Sequence, residues 1–216
     1  MKKLIAVITL ALMPLTGMAA GGGNVHLEMA NIDLSNHAAI QRGAKHFVNY
    51  CMGCHSAKYV RYKLFTEVGL TEDDIKNNLI FSDAKVGDLM KIAMPEAEAA
   101  NWFGAPAPDL TLTARIRHGG ADWIYTYLKG FYADPSRPMG VNNTVFSNVG
   151  MPHVLWEMQG IQNPVYRYEV HHDGHIVASF DTEAAADAYA REQGEGFRLE
   201  RVVDSLELVQ PGTMTP

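Results

Sequence analysis

The sequence is poor in cysteine. Its 216 residues hold two, Cys51 and Cys54, so no further cysteine is available to complete a zinc site of paired ligands. It also lacks a long apolar run. The stretch 4–15, broken by Thr9 and Pro14, falls short of the roughly 18 apolar residues a membrane-spanning helix needs. Positive charge is in deficit: 18 Lys and Arg stand against 24 Asp and Glu, for a formal net charge of −6. That balance speaks against nucleic acid as a partner and suits a basic protein partner. Nothing suggests wholesale disorder, because 47% of the residues are hydrophobic. That suits one domain with a sizeable core, with room for a smaller appendage.

The N-terminus reads as an address. Lys2 and Lys3 precede the apolar run, and Gly17-Met18-Ala19-Ala20 supplies small residues for cleavage. This is the pattern of a secretory signal peptide over residues 1–20. Export from a bacterium delivers the mature chain to the periplasm.

The two cysteines fall in Cys51-Met52-Gly53-Cys54-His55. Two thiols three positions apart with a histidine after the second is the attachment pattern for a c-type haem. Each thiol can add to one vinyl group of the porphyrin, and His55 can turn its imidazole onto the iron. A thioredoxin-like redox pair needs a preceding strand in a βαβ setting, and none is visible. With both thiols claimed by haem, no structural disulfide is expected.

Around this motif the sequence predicts helices. An apolar stripe of Ile40, Ala44, Phe47, Val48 and Cys51, with Ser35 or Asn36 as cap, predicts a helix feeding into the motif. Thr71-Glu72-Asp73-Asp74 marks another helix start. Val86, Leu89, Met90 and Ala93 predict a short helix over 86–93. Pro95 opens a helix that Gly104 ends, and residues 105–110 are too rich in proline to be helical. Residues 121–131 carry Trp123, Ile124, Tyr127, Leu128 and Phe131 on one face. That face packs a core, of which a haem edge is one form. Residues 133–150 read as a long loop, and such loops inside a domain are usually functional.

After Pro164 the pattern changes. Residues 165–171 and 175–180 have strand character around the Asp173-Gly174 turn. A helix capped by Asp181 or Thr182 runs to Gln193, and 197–203 and 206–209 read as strands. The fold class expected is therefore mainly α: a helical haem domain over 21–164 with a small α+β insertion over 165–216. The closing Thr215-Pro216 is a helix-start pair with no helix after it, so the chain reads as cut short.

A sixth iron ligand has to come from a distant loop. Methionine is the usual choice for electron transfer, because a thioether stabilises reduced iron. Met151, in Gly150-Met151-Pro152, and Met139, in Pro138-Met139-Gly140, are the loop candidates, and His118 and His153 are the histidine rivals. Arg117 suits a haem propionate, since guanidinium matches carboxylate bidentately. It also fits an ordinary surface ion pair. His171, His172 and His175 read as exposed strand and turn positions.

These pieces carry a family resemblance. Gln41-Arg42-Gly43, the Tyr50 to Ser56 run with Arg61-Tyr62, Ala107-Pro108-Asp109-Leu110, Arg117-His118-Gly119-Gly120 with Asp122, and Gly150-Met151-Pro152 together resemble the cytochrome c1 family of proteobacterial type. That family provides the haem subunit of the quinol:cytochrome c oxidoreductase, the cytochrome bc1 complex. The resemblance covers most of residues 35–160. It implies one haem c bound covalently at Cys51 and Cys54, with axial His55 and Met151, and an iron held by those last two. It also implies Arg117 near a propionate and the loop from Pro108 to Leu110 against the haem edge. The partners implied are cytochrome b, a Rieske iron–sulfur protein as electron donor and a cytochrome c as acceptor. A C-terminal transmembrane helix, missing from this sequence, would hold the protein on the periplasmic face of the inner membrane. The chain alone would make and break no substrate bond. Alternatives are a free periplasmic electron carrier, which ends near Pro216, and a haem enzyme or gas sensor with an open sixth position.

Overall fold

The structure, a computed structural model, describes residues 25–214. The expected signal peptide and the Thr215-Pro216 pair lie outside the described residues.

Helix α1, His37–His46, starts where Asn36 caps it, the Asn36 side chain accepting from the Ala39 N–H. It continues as a wider π-helical turn, Phe47–Cys51, which delivers the chain into the cysteine motif. Strand β1, Ala57–Arg61, follows, then a 3-10 segment, Tyr62–Val68. Helix α2, Glu72–Asn78, begins in a reciprocal capping box. Thr71 accepts from the Asp74 N–H, and the Asp74 carboxylate accepts from the Thr71 N–H. The residues these elements bury, among them Val48, Tyr62, Ile75, Leu79 and Met90, form one apolar core directly beneath the cysteine motif.

The segment 86–93 is not a helix. The Asp88 carboxylate accepts from the Lys85 N–H, closing a turn, and the two-residue strand β2, Leu89–Met90, pairs antiparallel with β1. The Tyr62 and Lys63 N–H groups donate to Asp88 and Val86 carbonyls, and Arg61 donates to Gly87. Met90 is still buried in the core and Val86 packs against it, while Ala93 is exposed. Their spacing fits a helix, but the backbone groups find partners across the chain instead.

Pro95 caps helix α3, Glu96–Phe103, instead of opening it as its first residue, and Gly104 ends it in a left-handed conformation. A single turn, α4, Thr113–Ile116, precedes α5, Gly120–Lys129. Strands β3, Phe131–Ala133, and β4, Val141–Asn143, make a short hairpin. The turn α6, Trp156–Gln159, leads into β5, Gly160–His172, then β6, His175–Phe180, helix α7, Glu183–Gln193, and β7, Arg198–Pro211. These last strands form one antiparallel sheet of order β6-β5-β7. Val170 and Ala186 are fully buried between sheet and α7.

The expectation of a mainly α fold is therefore corrected. The described residues hold three antiparallel sheets, and the fold is mixed. Two causes account for the difference. The strands expected over 197–203 and 206–209 are one long strand, which absorbs irregularities as bulges against β5. In the rest of the chain, short loop segments pair with each other to satisfy their backbone groups. The Asp173-Gly174 hairpin does form, with both residues at positive φ.

Among the described residues no helix is long and apolar enough to cross a membrane.

Candidate functional site

The π-helical turn ends at Cys51, and the Cys54 and His55 N–H groups both donate to the Cys51 carbonyl, at 3.0 and 2.8 Å. This single turn carries both thiols and the imidazole. Each cysteine is half-buried and unpaired. Burial, with a smaller contribution from Cys54, pushes the Cys51 thiol up. Beneath them Met52 packs on the core, and the Tyr62 hydroxyl reaches its sulfur at 3.8 Å.

The imidazole of His55 is fixed by one contact. Its Nδ1 lies 2.7 Å from the Pro108 carbonyl oxygen. A carbonyl only accepts, so Nδ1 carries a proton, and in the neutral ring Nε2 is the nitrogen left with a lone pair. The loop that supplies this carbonyl is stitched to the chain after His55. Leu110 N–H donates to the Ser56 carbonyl at 2.8 Å, and Lys58 N–H to the Asp109 carboxylate at 2.7 Å. The Tyr59 N–H donates to the Thr111 hydroxyl, and the Ile92 N–H to Ser56 Oγ. Burial acts to raise the Asp109 carboxyl, but the N–H groups of Lys58 and Thr111 and the Thr111 hydroxyl outweigh it and hold it below its ordinary value.

Helix α5 supplies a second wall. Gly119 precedes it at φ +83, and Leu27 occupies the space that a Cβ at Gly119 would need. The N-terminal segment straps this helix: Glu28 N–H donates to Thr126, Ala30 N–H to Asp122, and Lys129 pairs with Glu28. Sequence patterning gives no sign of this strap, because two of its bonds come from its backbone and the Glu28–Lys129 pair joins residues 101 positions apart. Along α5 the rings form a ladder. The Arg117 guanidinium sits 4.0 Å over Trp123, Trp123 stacks on Tyr127 at 4.9 Å, and the Tyr127 ring meets Phe131 edge-on at 5.3 Å. Phe131 in turn stacks on His153 at 5.0 Å. Among the described residues no acidic side chain pairs with Arg117. Burial lowers the His153 imidazole, opposed in part by a hydrogen bond to the Gly160 backbone.

The loop 134–152 is ordered by two buried asparagines. Asn143 accepts from the Val145 and Phe146 N–H groups and donates to the Tyr127 carbonyl at 2.7 Å. Asn142 accepts from the Asn148 N–H and donates to Asp134. Arg137 clamps Asn148 through its side chain and its carbonyl. The result presents Met151, whose sulfur lies 3.4 Å from the Tyr127 hydroxyl. Burial pushes the Tyr127 phenol up to about 12, against the nearby Arg117 charge, so it stays protonated and donates to the sulfur. Gly150 is required where it stands, because a Cβ there would lie 2.6 Å from the Phe103 carbonyl oxygen. Met139 is half-buried on the same loop, and His118 is exposed. His153 stays in the ring ladder.

These donors fit a c-type haem: two unpaired thiols and an imidazole with its Nε2 lone pair free, all on one turn, and a thioether presented by a remote, braced loop. The comparisons with known proteins agree. The family model of the Cytochrome C1 family matches residues 30–188. The chain belongs to the cytochrome c1 family. It is 54% identical over 166 residues to cytochrome c1 of Allochromatium vinosum, covering 76% of this chain and 67% of that one. It is 48% identical over 143 residues to the ammonia monooxygenase gamma subunit of Nitrosomonas europaea, covering 66% and 60%. Against mitochondrial cytochrome c1 of Schizosaccharomyces pombe it is 30% identical, covering 51% of this chain and 43% of the relative. The chain thus spans between about two fifths and two thirds of the length of these relatives. Family membership assigns it one covalently attached haem c, and with it one-electron transfer.

Proposed function

We propose that this chain takes single electrons from a Rieske iron–sulfur protein and passes them to a cytochrome c, within a quinol:cytochrome c oxidoreductase that also contains cytochrome b. In this reading Cys51 and Cys54 anchor the haem, His55 and Met151 ligate its iron, and Arg117 faces a propionate. The Pro108 loop lies at the haem edge. Residues 1–20 serve as an export signal, residues 21–164 form the haem domain and 165–216 the appended α+β unit. The protein works at the periplasmic face of the bacterial inner membrane.

The observation that carries the reading is the contact between His55 and the Pro108 carbonyl. It sets the tautomer, holds the ring's orientation and makes the imidazole a better donor at Nε2. The haem supplies a one-electron iron couple when bound. Everything else is the chain's work. The core under the cysteine turn holds the attachment point still. The Asp109 bonds keep the Pro108 carbonyl in place. The braced 134–152 loop keeps the Met151 sulfur in one position, so little has to rearrange when charge changes. Arg117, stacked on Trp123 and free of acidic partners among the described residues, offers a pre-oriented cation to a carboxylate.

The test is the far-red sulfur-to-iron charge-transfer band of the oxidised, periplasmically matured protein. Met151→Ala abolishes it, and Met139→Ala leaves it intact. A band that survives Met151→Ala, or vanishes with Met139→Ala, overturns the axial assignment. Copurification of the full-length protein with cytochrome b checks the assembly.

A further inference from the structure

The Tyr127 hydroxyl and the Met151 sulfur meet at 3.4 Å, and each is held in place independently. The phenol ring is fixed by the Trp123 face and the Phe131 edge, and its backbone carbonyl by Asn143. The sulfur is fixed by the loop that Asn142 and Arg137 brace and by the close approach of Gly150 to the end of α3. Neither group adjusts freely to the other, so the contact is a feature of the scaffold. We propose that Tyr127 is a positioning residue for the methionine: its O–H occupies one lone pair of the Met151 sulfur, directs the other away from itself, and sets the sulfur's donor strength. This rests on Met151 being the axial ligand.

A thioether sulfur has two lone pairs and accepts hydrogen bonds weakly. A proton donated to one of them withdraws density from the sulfur and makes it a poorer donor through the other. Oxidised iron needs that donation more than reduced iron does, so the hydrogen bond favours the reduced form and raises the reduction potential. The residue contacts the sulfur alone in this argument, and its effect is transmitted through Met151.

Tyr127→Phe removes the hydroxyl and keeps the ring, so the stacking ladder and the fold are retained. In the matured protein the far-red band persists at a shifted wavelength. The equilibrium constant for reduction falls by about threefold, the differential worth of one weak hydrogen bond. Tyr125→Phe deletes a phenol from the exposed side of the same helix and leaves both readouts unchanged. If Tyr127→Phe moves neither the band nor the potential, or Tyr125→Phe moves them equally, the inference is wrong and Tyr127 only packs. A band that survives Met151→Ala defeats the ligand assignment, which separates that failure from this one.

Discussion

Residues 160–211 and residues 37–159 keep their order by different means. In the first, β5 is paired along most of its length with β7 and near its end with β6, and α7 closes one face over Val170. Its hydrogen bonds are a backbone ladder that any sequence of suitable pattern can make. In the second, regular elements are short, and side chains reaching to backbone do the joining: Asp109 to Lys58, Ser56 to Ile92, Asn143 to Val145, Asn142 to Asn148. The apolar core of this region lies to one side, under the cysteine turn. Leu112, Ile116 and Trp102 of the same region are exposed and take no part in that core. A haem anchored at the cysteine turn would add apolar surface to this region, whereas the sheet unit already closes on itself through α7.

The largest effect that would break this contrast comes from removing the attachment point. With Cys51→Ser and Cys54→Ser together, haem staining on a denaturing gel disappears. Amide exchange over 37–159 then accelerates by roughly tenfold or more, while β5, β6 and β7 keep their protection. Equal loss in both regions, or none in the first, would show that the two are not ordered by separate means.

A smaller effect sharpens the contrast from within the haem region. Asn143 is 1% exposed, and its side chain holds two N–H groups and one carbonyl. Asn143→Ala leaves them unpaired and costs about 3 kcal/mol of stability by denaturant unfolding. It also weakens the far-red band, because the loop that presents Met151 loosens. A loss of stability with the band at full strength would separate the asparagine from the ligand loop.

What could be read from the sequence follows the same division. Local chemistry was legible: the Asn36, Thr71 and Thr182 caps, the Gly104 stop and the Asp173-Gly174 turn stand where expected, because each acts on neighbours within a few residues. The cysteine turn was legible for the same reason. The asparagines were not. In a loop rich in Asn, Ser and Gly, nothing marks Asn142 and Asn143 as buried, since their partners lie up to 16 positions away. The segment 86–93 misled because a few apolar residues at helical spacing also fit a turn and a short strand facing one core. The Pro108 carbonyl on His55 spans 53 positions and uses a backbone atom, so composition and spacing do not reveal it.

The smallest effect tests the bond that supports that carbonyl. Asp109 binds its proton more weakly in the folded chain than at its ordinary value of 3.8, because Lys58 and Thr111 donate to the charged form and outweigh burial. Its contribution to stability is therefore complete above that value and is lost as pH falls through the lower, folded one. Asp109→Asn cannot hold the same set of N–H groups with a charge. At pH 7 the variant melts roughly 2 °C or less below the parent, given how open the site is to solvent. The gap closes as pH falls below 3.8 and the parent's carboxylate takes up its proton. The haem should sense the change as well: if the loop holds His55 through Pro108, the variant's reduction potential shifts at pH 7, and that shift closes over the same window. A melting gap that persists at low pH would assign the effect to shape instead of charge. A gap in melting with no shift in potential would detach the Asp109 loop from the imidazole and leave Pro108 as its only hold.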